Sequence, residues 1–130
     1  MDVIKVVGGR SVTGEVTVEG AKNSALKLMA ATIMAPGVTT LTNVPNSADV
    51  HVMGKVLKTL GARMEVVGLH ELKIDTTDIT SWETPYSLVA QMRASTAVLG
   101  PLISRFGKAV VAMPGGCNIG ARKIDMHILG

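Results

Sequence analysis

DVHVMG at residues 49–54 and DMHILG at residues 125–130 match each other residue class by residue class, and this repeat decides the fold. Before each copy an apolar helix ends at a glycine, Gly37 or Gly107, and a strand follows that ends in a proline. Self-similarity of this kind indicates duplicated structural units. Because helices and strands alternate within each copy, we predict an α/β (α+β) layered fold. The second copy is cut short, so we expect the chain to be part of a larger protein.

The second copy has a longer loop before its helix than the first. Asp49 comes 4 residues after Pro45, whereas Asp125 comes 11 residues after Pro114, so the second copy carries seven extra residues. They fall within GGCNIGARKI, 115–124, a glycine-rich loop between a strand and a helix, where backbone amides and the helix dipole favour an anion. The lysine of a P-loop is missing from it. An ordinary tight connection is the alternative interpretation.

Cys117 has the most distinctive setting in this loop. It is the single cysteine of the chain, it stands among glycines, and Arg122 and Lys123 follow it closely. Such a setting stabilises a thiolate and keeps the sulfur accessible. The residues leave two interpretations open, a reactive nucleophile or an inert buried thiol.

Lys22 and Arg93 are cations at nearly equivalent positions of the repeat. Lys22 lies 15 residues before Gly37, and Arg93 lies 14 residues before Gly107. Lys22 and Asn23 open the first predicted helix, where an ammonium and an amide join free backbone donors. An arginine within an apolar helix usually pairs with a carboxylate, either of the protein or of a ligand. A solvated charge for Lys22 and a structural ion pair for Arg93 are the alternatives.

Other polar residues near the two helix openings have simpler interpretations. Asp49 and Asp125 are predicted to be first-turn helix carboxylates, although Asp125 is close enough to the loop to touch a ligand. His51 and His127 take matching positions in the repeat, which favours a packing or hydrogen-bonding role over catalysis. His70 is predicted to be solvated in a turn.

Local patterns predict the elements around these residues. Strands are predicted over 2–7, 13–18, 38–44, 63–67, 71–75 and 108–113. Helices are predicted over 22–35, from the N-cap Ser47 to Leu60 with Gly61 as the stop, and from Thr84 and Pro85 onward with a kink at Gly100 and Pro101.

Composition excludes several classes of protein. With 47% hydrophobic and 18% charged residues the chain is not disordered, and one cysteine allows neither an internal disulfide nor a Cys/His zinc site. The net charge of +3 is scattered and three residues are aromatic, which disfavours nucleic-acid binding. No apolar stretch is long enough to span a membrane and no signal-peptide run opens the chain, so we expect a cytoplasmic protein.

Three segments, GAKNSAL at 20–26, QMRAS at 91–95 and AMPGGCNIGARKIDMHI at 112–128, carry a family resemblance. With them the chain closely resembles the N-terminal part of the UDP-N-acetylglucosamine 1-carboxyvinyltransferase family of enolpyruvyl transferases, from end to end. The resemblance implies inside-out α/β barrels built from repeated βαβαββ units, here one complete unit and part of a second. Residues 1–20 would be strands that join the second domain, and 21–130 an incomplete first domain carrying the cysteine loop.

The resemblance also implies a reaction and a set of site residues. Enolpyruvyl would pass from phosphoenolpyruvate to the 3′-hydroxyl of UDP-N-acetylglucosamine with release of phosphate, in the first committed step of peptidoglycan synthesis. Lys22 and Asn23 match the family's phosphoenolpyruvate-binding pair, and Cys117 matches the proton donor, which also forms a phosphoenolpyruvate adduct and is alkylated by fosfomycin. Arg93 and Arg122 match substrate-contacting arginines, and Lys123, Ile124, Asp125 and Met126 match the stretch that holds the uridine nucleotide.

The match to the family has one departure and one gap. Lys123 stands where the family usually has proline, which leaves loop stiffness and nucleotide packing open. The family's catalytic aspartate lies well downstream, so we expect activity to need the remainder of the polypeptide. No cofactor, metal, nucleic acid or membrane is implied as a partner. A non-catalytic module for anion binding, nucleotide-sugar binding or assembly is one alternative, and a relative of the 3-phosphoshikimate enolpyruvyl transferases, which lack the cysteine loop, is another.

Overall fold

The structure, a computed structural model, describes residues 3–113 and Asp125. Its strands are β1 (Val38–Leu41), β2 (Arg63–Gly68) and β3 (Glu71–Asp75). Its helices are α1 (Lys22–Ala31), α2 (Ala48–Leu60), α3 (Tyr86–Val89) and α4 (Leu99–Phe106), with 3-10 helices at Thr32–Met34 and Arg93–Val98.

Helix α2 and the hairpin after it form where local signals predict them. The Ser47 side chain accepts a hydrogen bond from the Val50 amide at 3.4 Å and so caps α2. Gly61 ends the helix with φ of 113°, in the left-handed region that favours glycine. The predicted strands 63–67 and 71–75 are confirmed as β2 and β3, which pair in antiparallel fashion.

Strand β3 is the central strand of an antiparallel sheet with the order β1–β3–β2. Ile74 lies opposite Thr39 on β1 and opposite Met64 on β2. Leu72 and Ile74, which alternate along β3, are buried against the helices, as expected for a sheet with one face on the core. The described residues therefore form the predicted layered arrangement of helices on a sheet.

The core lies between this face of the sheet and helices α1, α2 and α4. The apolar faces predicted for the first two helices are confirmed, because all of their named members are buried. They are Leu26, Met29, Ala30 and Ile33 from the first, and Val50, Met53, Leu57 and Leu60 from the second. Leu102 of α4 completes the same cluster.

The strands predicted over 2–7 and 13–18 are wrong, because residues 3–20 form no strand. A strand needs a neighbour for its backbone donors and acceptors, and none of the described strands pairs with this segment. The predicted complete βαβαββ unit therefore lacks its first strand within the described residues. Seven apolar side chains of the segment are at least 81% exposed: Val3, Ile4, Val6, Val7, Val12, Val16 and Val18.

The third predicted helix breaks at a different place from the one expected. It stops after α3, Met92 is extended, and the Arg93–Val98 3-10 helix precedes α4. The buried Ser95 hydroxyl lies within hydrogen-bond distance of the Val89 and Met92 carbonyls, where it competes with helical backbone bonds. Pro101 falls in the first turn of α4, where a proline sacrifices no helical hydrogen bond.

Three other predicted features differ from expectation. Pro85, not Thr84, is the N-cap of α3, and the Thr84 hydroxyl lies 3.4 Å from the Val110 carbonyl oxygen instead. In place of the strand predicted over 108–113, the described residues show a single parallel bridge between Glu83 and Val110. β1 is also shorter than the predicted 38–44.

Thr76 joins the end of β3 to the end of the first helical segment. Its side chain is fully buried, and its hydroxyl lies 3.0 Å from the Thr32 carbonyl oxygen and 3.1 Å from that of Ala35. Arg105 of α4 donates to the Thr76 carbonyl at 2.8 Å and to the Ile33 carbonyl at 3.1 Å. Side-chain donors thereby reach backbone carbonyls at the end of this helical segment, where helical donors run out.

Thr76→Val should therefore destabilise the protein although it preserves side-chain shape. We expect the free energy of unfolding to fall by about 1–2 kcal/mol, because valine cannot donate the hydrogen bond that the buried Thr76 hydroxyl makes to the helix-end carbonyls. Chemical denaturation would measure the change. Thr40→Val, at an exposed position of β1, is the matched control and should change stability by no more than about 0.5 kcal/mol. Equal effects at the two positions would contradict the assigned role of Thr76.

Candidate functional site

The start of α1 carries the first pair of predicted site residues, Lys22 and Asn23. Both are exposed on the first turn of this ten-residue helix. Ala21 precedes them in an extended conformation and has no side-chain oxygen with which to cap the backbone amides. The positive end of the helix dipole, an ammonium and a carboxamide are thus gathered at one place, which suits a phosphate or carboxylate group.

Asn43 fixes the chain immediately before this helix. Its backbone is left-handed, with φ of 55°, and its side-chain oxygen accepts a hydrogen bond from the Gly20 amide at 3.1 Å. A Cβ at residue 20 would overlap the Asn43 carbonyl oxygen, so this close approach requires glycine. A cavity of about 180 Å³ lies beside it and is lined in part by Ser24. Hydrophobic periodicity along the sequence does not predict this role of Asn43, because its contact with Gly20 spans 23 residues.

Asp49 lies against Lys22 and ties the starts of α1 and α2 together. The Lys22 Nζ is 2.6 Å from the Asp49 Oδ2, and the two side chains are 47% and 34% exposed. The prediction that Asp49 is a first-turn carboxylate is confirmed. Its pairing with Lys22 is not predicted from the sequence, because it joins positions 27 residues apart.

Arg93 lies on a neighbouring element. It is half-buried at the start of the Arg93–Val98 3-10 helix, which packs against α1. Within residues 3–113 and Asp125, no carboxylate forms an ion pair with the Arg93 guanidinium. A structural ion pair for Arg93 therefore has no support among the described residues, and a ligand carboxylate stays a prediction.

The second half of the predicted site is described at one residue. Asp125 is helical and exposed. The other predicted members, Cys117, Arg122, Lys123, Ile124 and Met126, lie outside the described residues. Their roles remain predictions from sequence.

His51 and His70 line a larger cavity, of about 380 Å³, between the start of α2 and the β2–β3 hairpin. The His51 Nε2 is 2.9 Å from the Asn46 Oδ1, which confirms a hydrogen-bonding role. His70 is only partly exposed, and its Nδ1 lies 3.1 Å from the Val44 carbonyl oxygen, so the prediction of a solvated ring is wrong. No lysine or arginine among the described residues lines this cavity, and the start of α1 therefore suits an anion better.

The remaining charged cluster of the described residues is structural. Arg63 bridges Asp75 at 3.2 Å and Asp78 at 2.7 Å. Hydrogen bonds from Thr77, and to a lesser extent the charge of Arg63, hold the pKa of Asp75 below its usual range. Among the described residues, no group of three His, Cys, Asp or Glu side chains could hold a metal ion, and no helix is long and apolar enough to cross a membrane.

Comparison with known proteins gives a family and a set of relatives. A family model described as EPSP synthase (3-phosphoshikimate 1-carboxyvinyltransferase) matches residues 6–130. Two relatives are named UDP-N-acetylglucosamine 1-carboxyvinyltransferase: that of Desulfatibacillum aliphaticivorans is 51% identical over the whole chain, and that of Dichelobacter nodosus is 47% identical. The chain spans 31% of the length of each.

A solved structure shares the fold. The chain is similar to the enolpyruvyl transferase NikO from Streptomyces tendae, with a TM-score of 0.69 and 28% identity. The similarity covers 78% of this chain and 24% of that one. The described helices and antiparallel sheet are thus an enolpyruvyl transferase arrangement.

Proposed function

Since the chain belongs to the EPSP synthase (3-phosphoshikimate 1-carboxyvinyltransferase) family, we propose that it forms part of an enzyme that transfers enolpyruvyl from phosphoenolpyruvate to UDP-N-acetylglucosamine. The acceptor atom is the 3′-hydroxyl oxygen, phosphate is released, and the product enters peptidoglycan synthesis. The observation that carries this proposal is the uncapped start of α1 with Lys22 and Asn23, in a chain 47–51% identical to relatives of that name.

The start of α1 supplies the groups that phosphoenolpyruvate requires. This substrate carries a phosphate and a carboxylate, and charge-assisted hydrogen bonds to such groups are the strong ones. Lys22 contributes a cation, Asn23 a neutral donor, and the helix start its dipole. Arg93, on the adjacent 3-10 helix, is the cation we assign to substrate contact together with Arg122.

The chemistry is an addition followed by an elimination. The 3′-hydroxyl loses its proton to a base, which we assign to the family's downstream aspartate, and its oxygen bonds to the phosphate-bearing carbon of the enol. The methylene carbon gains a proton in the same step, and we assign its donation to the Cys117 thiol. The intermediate then loses phosphate from the same carbon and returns a proton from the new methyl group to the Cys117 thiolate, which restores the double bond and the thiol. Lys22 and Arg122 would stabilise the charge on the departing phosphate. Lys123, Ile124, Asp125 and Met126 are assigned to the uridine nucleotide.

The proposal extends to the rest of the enzyme. We assign the chain to an inside-out barrel of repeated units, in which residues 1–20 join a second domain and 21–130 belong to the first. The exposed apolar side chains of residues 3–18 support this, since they need a partner surface. Activity would then require the remainder of a longer polypeptide in the cytoplasm, which agrees with the 31% coverage of the relatives.

A 3-phosphoshikimate acceptor is the second candidate, because the matching family model carries that description. The cysteine loop argues against it, since the resemblance reserves that loop for the UDP-N-acetylglucosamine enzymes. The two acceptors differ in charge and size, so a direct comparison of them as substrates separates the candidates.

Fosfomycin labelling tests the assignment of Cys117. The complete polypeptide encoded by the reading frame that carries this chain would be incubated with fosfomycin, digested, and mapped by mass spectrometry. We expect one adduct, on Cys117, because a thiolate flanked by Arg122 and Lys123 attacks and opens an epoxide. Cys117→Ser is the control and should remain unlabelled. Labelling of the wild-type protein at another residue alone would contradict the site assignment.

A further inference from the structure

Asp49 contacts Lys22, and its position in the repeat does not explain this contact. It is on the first turn of α2, whose Ser47 cap and buried Val50 fix the start of that helix. Lys22 is the first residue of α1, 27 positions earlier, and the two helices pack together in one core. Because both backbones are anchored, the Asp49 carboxylate lies at a defined point beside the Lys22 ammonium.

Stability is a poor explanation for this ion pair. The two side chains are 47% and 34% exposed, and exposed ion pairs contribute little to folding. The helix dipole at the start of α2 already stabilises a carboxylate there without Lys22. The effect of this contact on the position of the Lys22 side chain therefore explains it better than a contribution to folding.

A lysine side chain is long and flexible, and holding its ammonium in one place has an entropic cost. The 2.6 Å contact with Asp49 restricts the ammonium before any substrate is present. Because the ammonium is already restricted in the unbound state, less side-chain entropy is lost when the substrate binds, which is the general basis of preorganisation.

We propose that Asp49 is a positioning residue for Lys22, which it holds over the start of α1 in readiness for the phosphoenolpyruvate phosphate. The proposal rests on the proposed function, since it presupposes that Lys22 contacts this substrate. Asp49 itself does not touch the reacting atoms. Its loss should weaken the ground state and the transition state alike, and so raise KM more than it lowers kcat.

Steady-state kinetics of Asp49→Asn in the complete polypeptide test this. We expect the KM for phosphoenolpyruvate to rise about 5- to 10-fold, the cost of ordering one free side chain, with kcat within about twofold of wild type. The KM for UDP-N-acetylglucosamine should not change. Asp49→Glu restores a carboxylate and should recover part of the loss, which a merely structural role would not require.

Asp78→Asn is the matched control, because Asp78 is also an exposed carboxylate paired with a cation, Arg63, at 2.7 Å. It should leave both KM values unchanged. An unchanged or lowered phosphoenolpyruvate KM in Asp49→Asn would overturn the proposal. If that variant does not fold, Asp49→Ser, which also removes the carboxylate, carries the test, and a wild-type phosphoenolpyruvate KM in it would overturn the proposal in the same way. An inactive wild-type polypeptide would instead overturn the proposed function, and the positioning role with it.

Discussion

Lys22→Ala is expected to lower kcat/KM for phosphoenolpyruvate by about 100- to 1,000-fold in the complete polypeptide, the scale seen when one preorganised charge contact to a transition state is removed. The reason is geometric. Lys22 places its ammonium at the start of α1, beside Asp49. There it would contact the phosphate group in the bound substrate, in the transition state and as phosphate leaves. Phosphate release at varied phosphoenolpyruvate concentration measures the effect.

Lys27→Ala provides the control for this prediction. Lys27 is an exposed lysine on the same helix, so the substitution removes the same charge and the same side chain without touching the start of α1. It should change kcat/KM by no more than about twofold, since exposed charges away from a site act weakly through water. Equal losses in the two variants would show that net charge, not position, governs activity.

Gly20→Ala is expected to lower kcat/KM by about 100-fold, because a displacement of about 1 Å in a substrate-positioning element has an effect of that size. The new Cβ overlaps the Asn43 carbonyl oxygen, which is backbone and cannot move without moving its chain. Relief of the overlap must shift the entry to α1 and break the Gly20–Asn43 hydrogen bond. We expect the free energy of unfolding to fall as well, by about 1–3 kcal/mol.

Gly100→Ala is the matched control for Gly20→Ala. A Cβ at Gly100 meets no atom within 4 Å, and Gly100 has no left-handed φ. It should leave the kinetics at wild-type values and should not lower stability. Wild-type kinetics in Gly20→Ala would mean that the start of α1 tolerates displacement, and would contradict its assignment as a substrate-binding element.

Elements specified by their own residues are the ones that sequence predicts. Ser47 and Gly61 delimit α2 because a side-chain cap and a left-handed glycine act on the nearest backbone groups. The strands β2 and β3 are joined by a short turn, so each finds a pairing partner in its neighbour along the chain. Residues 2–7 and 13–18 have equally good β-branched patterns but form no strand within residues 3–20, because a pattern cannot provide the neighbouring strand.

The residues of the candidate site also divide into those with a local sequence setting and those whose contacts join distant positions. Lys22 and Asn23 are predictable because a helix start gives them a recognisable local setting. Asp49 and Asn43 are missed as partners because their contacts join positions 27 and 23 residues apart, and such contacts depend on how α1 packs on α2 and β1. The helix break before Arg93 is missed because it depends on the buried Ser95 hydroxyl and its backbone partners.

Product analysis with the complete polypeptide, phosphoenolpyruvate and UDP-N-acetylglucosamine tests the proposed function most directly; released phosphate is measured and the sugar nucleotide is identified by mass spectrometry. We expect equal amounts of phosphate and enolpyruvyl UDP-N-acetylglucosamine. Absence of that product, or phosphate release only when 3-phosphoshikimate is the acceptor, would contradict the proposed function.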